Sequence, residues 1–113
     1  MTSYKDLTVW KKSVDLVECI YRYSQKFPHN EQYGLVSQMR RAAVSIPSNI
    51  AEGSRRRGKD SLHLLNIAFG SASELETQLV ITNRLKLGDH EMLVKCEELL
   101  SEVLRMLNKM TAQ

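Results

Sequence analysis

The sequence predicts an all-α protein, an antiparallel up-down-up-down four-helix bundle, with residues 1–113 forming a single domain. Three observations predict it. Four stretches repeat their apolar residues at alternating steps of three and four. The breaks between them are short and carry residues that stop or start helices, such as Pro28, Asn30, Gly53, Gly88 and Asp89. No stretch alternates with the period of two that a half-buried strand needs. A chain of 113 residues is the size of one domain. Short connections between helices favour antiparallel neighbours.

The first helix is expected over about residues 7 to 26. Trp10, Val14, Val17, Tyr21 and Ser24 form its stripe, widened by Leu7, Ser13, Ile20 and Phe27. Lys11, Lys12, Asp15, Glu18 and Arg22 fall largely on the other side. Asp6 or Thr8 is expected to cap it by accepting from free backbone N–H groups. Pro28 ends it, because the residue before a proline avoids the α region. Asn30 is expected to cap the second helix, with Glu31 favourable against the dipole of its first turn.

The second helix follows Leu35, Met39, Ala42 or Ala43, Ile46 and Ile50. Pro47 interrupts it, at a usual penalty of about 3 kcal/mol. Either the helix breaks at Ile46 or it kinks and continues; the spacing to Ile50 favours continuation. Ser45, Ser48 or Asn49 are then expected to satisfy the backbone groups that the proline frees. Gly53 is expected to end the helix in the left-handed conformation, and residues 54 to 58 to form a basic loop.

The third helix is expected from Lys59 or Asp60 to Leu87. Its face is Leu62, Leu65, Phe69, Ala72, Leu75 or Glu76, and Leu79. Gly70, Ser71, Ala72 and Ser73 make a small-residue patch, expected to let the backbone of helix two approach closely. Gly88 stops the helix, and Asp89 caps the last one. There, Leu93, Cys96, Leu100, Val103, Leu107 and Met110 form a seam with coiled-coil spacing.

Charge is unevenly placed. The formal net charge is +3 and the sequence pI is about 9.0. Residues 40–59, RRAAVSIPSNIAEGSRRRGK, hold six of the 16 basic residues against one acid, Glu52. Arg40, Arg41, Arg55, Arg56, Arg57 and Lys59 are therefore the candidate nucleic-acid-binding residues, since arginine's forked donors suit phosphate. Solubility explains such a loop as well. No aromatic residue is interleaved with the arginines, so base stacking is not supported there.

No catalytic constellation is present. His29, His63 and His90 have no metal-ligand spacing, and no metal or other cofactor is implied. No serine has a nucleophile elbow around it, and GSRRRGK lacks the phosphate-loop spacing. The chain reads as a non-enzyme. Ser45, Asn49 and Glu52 on helix two, with Ser71 and Glu74 on helix three, are expected to form a polar network that fixes the helix pairing. Arg40 or Arg41, paired with Glu74 or Glu76, would belong to it. Cys19 and Cys96 read as buried small hydrophobes of a reducing compartment. No run of 18 apolar residues exists, so no membrane span is expected. MTSYKDLTVW has no signal-peptide apolar region, and a cytoplasmic protein is expected.

The segment DLTVWKKSVDLVECIYRYSQKFPHNEQYGLVSQMRRAAVSIPSNIAEGSRR, followed by LLNIAFGSASELETQL, resembles bacterial four-helix-bundle proteins encoded in intervening sequences of large-subunit ribosomal RNA genes. Residues 33–53 carry the most specific part of the resemblance. The accessory variability proteins of diversity-generating retroelements share this fold. The resemblance implies a homo-oligomer, a pentameric ring or barrel. For the retroelement relatives it also implies binding of RNA or DNA and association with a reverse transcriptase. Two functions follow as expectations: low-specificity nucleic-acid binding through the basic loop, or an oligomeric scaffold with no nucleic-acid role.

Overall fold

The structure is a computed structural model that describes residues 3–112. Four long helices carry the fold: α1 Thr8–Ser24, α2 Ser37–Ser54, α3 Gly58–Arg84 and α4 His90–Thr111. No strand occurs among the described residues. Short 3-10 turns at Tyr4–Asp6 and His29–Glu31 precede α1 and α2, and a single π-helical segment, Gln32–Val36, leads directly into α2. The helices neighbour one another in the cyclic order α1, α2, α3, α4 and back to α1. Pairings run in opposite directions along neighbours. Lys12 meets Glu102 while Cys19 meets Cys96, and Ser45 meets Ser71 while Gly53 meets Ser61 and Leu64. This is an antiparallel four-helix bundle. Its long dimension, 43 Å, is close to the length of α3, whose 27 residues span about 40 Å at the helical rise.

On α2 and α4 the expected stripes become the core. On α1 the buried face is instead Val9, Ser13, Leu16, Cys19, Ile20, Tyr23 and Ser24. Of the expected stripe, Trp10, Val14 and Val17 are half-buried and Tyr21 is exposed, because the packing of α2 and α4 decides which flank of α1 turns inward. Leu16, Ile20, Met39, Ala43, Ile46, Ile50, Ala72, Leu75, Cys96, Val103 and Leu107 are all wholly buried. Only Met110 leaves the α4 seam for solvent. On α3 the buried face is wider and more polar than hydropathy suggests. It includes Ala68, Gln78 and Thr82, while Leu62, Leu65 and Phe69 are only half-buried. Thr82 hides its hydroxyl by donating to the Leu79 carbonyl at 2.9 Å.

Helix α2 runs unbroken through Pro47, which is itself buried. Ser48 Oγ donates to the Val44 carbonyl and Asn49 Nδ2 to the Ser45 carbonyl, each at 2.8 Å. Neither reaches the carbonyl of Ala43, the acceptor that the proline deprives of its donor. The expected rescue by these side chains is thus displaced one and two residues along.

Several expected helix ends differ. Asp6 does not cap α1. It closes a capping box with Ser3 around the Tyr4–Asp6 turn, and Leu7, without a side-chain bond, precedes α1. Asn30 lies inside a 3-10 turn and caps nothing. Asp89 does cap α4, accepting from the Met92 N–H at 3.3 Å. Gly53 is not a left-handed stop. It is buried inside α2, which continues to Ser54, and the left-handed glycines are Gly58 and Gly88. A Cβ on Gly53 would lie 3.4 Å from Leu64 Cβ, Leu65 Cγ and the Ser61 carbonyl oxygen, so α2 and α3 approach closely here, with room for a methyl group and no more. The expected small-residue patch meets α2 through Ser71, 2.9 Å from Ser45, with Ala72 buried, but Gly70 itself has nothing near it.

Helix α3 ends before Gly88, in a Schellman motif. The Leu87 N–H bonds the Thr82 carbonyl at 3.0 Å and the Lys86 N–H that of Asn83 at 3.1 Å. Lys86 occupies the left-handed position at φ 56°. A non-glycine residue there costs about 1–2 kcal/mol. Lys86→Gly removes that strain but frees the unfolded chain, so a net gain of about 0.5–1 kcal/mol is expected. Thermal denaturation should show a melting temperature about 2–4 °C higher; a lower one would mean that the lysine stem contributes more than its backbone costs.

Candidate functional site

The link between α2 and α3 is three residues long and consists of Arg55, Arg56 and Arg57. Its geometry follows from the helix ends. The Arg55 N–H bonds the Glu52 carbonyl and the Arg56 N–H the Gly53 carbonyl, both at 3.1 Å, finishing α2. Arg57 is then extended, and Gly58 at φ 57° turns the chain into α3. All three arginines and Lys59 are exposed. Basic residues at the C-terminal end of α2 are favoured by its dipole. Arg57 precedes α3 without any side-chain cap, so the N–H groups of the first turn of α3 remain open beside the cluster.

Two contacts shape the cluster. Arg56 Nη2 pairs with Glu52 Oε1 at 3.3 Å, one helical turn back, with both side chains about half exposed. Arg55 places its guanidinium 5.1 Å from the centre of the Tyr4 ring. Tyr4 in turn packs edge-on against Trp10, with ring centroids 5.3 Å apart. Together Tyr4, Ser48, Ala51, Glu52, Arg55 and Arg56 line an open groove of ≈ 520 Å³. The sequence has no aromatic residue among the arginines, yet the fold supplies one from the N-terminal turn. The only hint is Tyr4 standing in an otherwise polar lead, six positions before Trp10.

The six basic candidates do not all gather here. Arg40 turns toward α1, donating from Nε to Ser24 Oγ at 3.0 Å and from Nη2 to the Tyr21 carbonyl at 3.3 Å. Its guanidinium also lies 4.4 Å from the centre of the Tyr21 ring. Arg40 therefore ties α1 to α2. Arg41 is exposed and lines a separate depression with Gln38, Ser45, Ser71 and Glu74. It stands roughly 20 Å along α2 from Arg55.

The polar set is brought together in part. Ser71 Oγ donates to Ser45 Oγ at 2.9 Å, and Asn49 Nδ2 donates to Ser45 Oγ at 3.0 Å, bridging α3 to α2. Glu52 is taken by Arg56 instead, and Glu74 is exposed. Among the described residues the ion pairs are Lys12–Glu102, Arg22–Glu18 and Arg56–Glu52. None joins Arg40 or Arg41 to Glu74 or Glu76, because Arg40 faces α1 rather than α3.

Among the described residues no helix is long and apolar enough to cross a membrane. No group of three or more His, Cys, Asp or Glu side chains suited to a metal ion gathers among them.

Residues 5–109 match a family described as 23S rRNA-intervening sequence protein. The fold is similar to the crystal structure of a protein with unknown function from the S23 ribosomal protein family of Bacteroides thetaiotaomicron VPI-5482. The two are 25% identical, with a TM-score of 0.79, over 94% of this chain and 100% of that one. No curated protein matches the chain.

Proposed function

Because the chain belongs to the 23S rRNA-intervening sequence protein family, we propose that it is a non-enzymatic, homo-oligomeric bundle that binds nucleic acid through the α2–α3 turn. One observation carries the reading. Arg55, Arg56, Arg57 and Lys59 surround the uncapped N-terminus of a 27-residue helix, so fixed charge and open N–H groups face the same solvent. That combination suits phosphate. Glu52 offsets one arginine and Asp60 lies in the first turn of α3, so the local excess is moderate. Repetition around a closed ring would raise it, since a pentamer would carry about +15 in net charge. Contacts to phosphate position a protein without reading sequence.

The test is fluorescence anisotropy with unrelated RNA and DNA oligonucleotides across a salt series. Binding should weaken with salt, with a log–log slope of about −0.9 per duplex phosphate neutralised. The triple variant Arg55→Ala, Arg56→Ala, Arg57→Ala should weaken binding to all sequences alike and flatten the slope, while its circular dichroism stays that of the wild type. Wild-type affinity and slope in this variant would remove the turn from consideration. Light scattering on the same samples should return a multiple of the 13.0 kDa chain mass.

A second reading has its own observation. Ile81, near the end of α3, and Leu85, just beyond it, are exposed apolar side chains four residues apart that a neighbouring subunit would cover. If the oligomer forms and no oligonucleotide binds at low salt, the chain is an assembly scaffold.

A further inference from the structure

Cys19 on α1 and Cys96 on α4 are 77 positions apart in the chain. The antiparallel register of the two helices brings their sulfurs to 2.7 Å. Both are free thiols. Their surroundings are unequal. Cys96 is 0% exposed, whereas Cys19 keeps 8% of its surface. Cys19 also lines a groove of ≈ 280 Å³ between α1 and α4, with Asp15, Glu18, Arg22, Met92 and Lys95. Met92 Sδ lies 3.7 Å from Cys19 Sγ. Cys96 does not line the groove. A small solute entering there meets Cys19 first, with Cys96 next to it on the core side.

We propose that Cys19 and Cys96 are a redox pair: a small hydroperoxide in the α1–α4 groove oxidises Cys19, and Cys96 then closes an intramolecular disulfide between the helices. In the first step the Cys19 thiolate attacks one peroxide oxygen. An S–O bond forms, the O–O bond breaks, and the departing oxygen leaves as hydroxide or alkoxide and takes up a proton. In the second step Cys96 Sγ attacks the sulfenic sulfur. The S–S bond forms, the S–O bond breaks, and hydroxide leaves as water with the Cys96 proton. The thiols together lose two electrons and two protons; with hydrogen peroxide the products are the disulfide and two waters. Burial, and next the hydrogen bond to Cys19, push the Cys96 thiol well above the ordinary cysteine range.

The test uses the reduced full-length protein, without denaturant, exposed to hydrogen peroxide. The intact mass should fall by about 2 Da, and digestion should yield a peptide pair linked through Cys19 and Cys96. The melting temperature should rise by roughly 10 °C, because closing so long a loop constrains the unfolded chain. Dithiothreitol should reverse both changes. Cys96→Ala should stop at a sulfenic acid on Cys19 that dimedone traps, and Cys19→Ser should not react. The wild-type mass reading stands even if a variant folds poorly. The proposal is overturned if the wild type gains about 16 or 32 Da without the 2 Da loss, links only between chains, or reacts only in urea.

Discussion

Gly88→Ala is expected to lower the melting temperature by roughly 10–20 °C, the largest effect of a Cβ added at any glycine of this chain. Two independent costs add. Gly88 has φ 72°, in the left-handed region, where a non-glycine residue costs about 1–2 kcal/mol. Its new Cβ would also stand 2.7 Å from both Tyr23 Cε1 and Phe27 Cε1. These rings cannot move aside easily. They are 2% and 4% exposed and pack edge-on, with centroids 4.9 Å apart. Tyr23 Oη donates to the Leu87 carbonyl at 2.9 Å, beside the glycine itself. Burial holds the Tyr23 phenol above its ordinary pKa, so it remains a donor. Overpacking of this kind typically costs about 1–3 kcal/mol. Lys86 is the internal comparison, since it bears the same backbone strain with its side chain in solvent. Thermal denaturation of Gly88→Ala decides the matter: a shift under about 2 °C would mean that the rings yield without loss.

Gly53→Leu should cost about half as much, and should reach the proposed interface as well. An ideal Cβ at this position already meets Leu64, Leu65 and the Ser61 carbonyl at 3.4 Å. Alanine therefore fits at the edge of ordinary contact, and its helix propensity gains about 1 kcal/mol over glycine. Gly53→Ala should lie within about 1 kcal/mol of the wild type. Leucine adds three further carbons where Leu64 and Leu65 stand, so α2 and α3 must separate. A loss of about 1–3 kcal/mol is expected, or roughly 5–10 °C in melting temperature. Gly53 is two residues before Arg55, and its carbonyl accepts from the Arg56 N–H. Separation there displaces the whole turn. Gly53→Leu should therefore also weaken oligonucleotide binding, whereas Gly53→Ala should leave it alone. Equal melting temperatures for the two variants would show that α2 and α3 are not held this close.

The helices and the buried faces of α2 and α4 were legible because they rest on local chemistry; the inward flank of α1 was not, since Val9, Leu16 and Tyr23 are buried there while Tyr21 of the expected stripe is exposed. Leu93, Cys96, Leu100, Val103 and Leu107 share one face of α4 whatever lies opposite, since the helical repeat alone aligns them. Ile50 kept the spacing of Ile46 across Pro47, and a helix that must bury both runs through the proline. Asp89 caps from its own backbone position. The basic turn was legible too, because its residues are consecutive.

What was not legible depends on distance between helices. Whether Gly53, Gly58 or Gly70 is the close contact is set by where α2 crosses α3, and no residue encodes that by itself. Polar groups on α3 such as Gln78 and Thr82 are buried because neighbours surround them, not because their own hydropathy favours it. Arg40 leaves the basic set for Tyr21 and Ser24, while Tyr4 joins it. Cys19 and Cys96 meet only when α1 and α4 lie antiparallel in one register. Periodicity follows from the repeat of a single helix, but contacts between residues far apart follow from packing. The hydrophobic effect that drives packing is non-directional, so steric fit must choose among the ways four such stripes can meet.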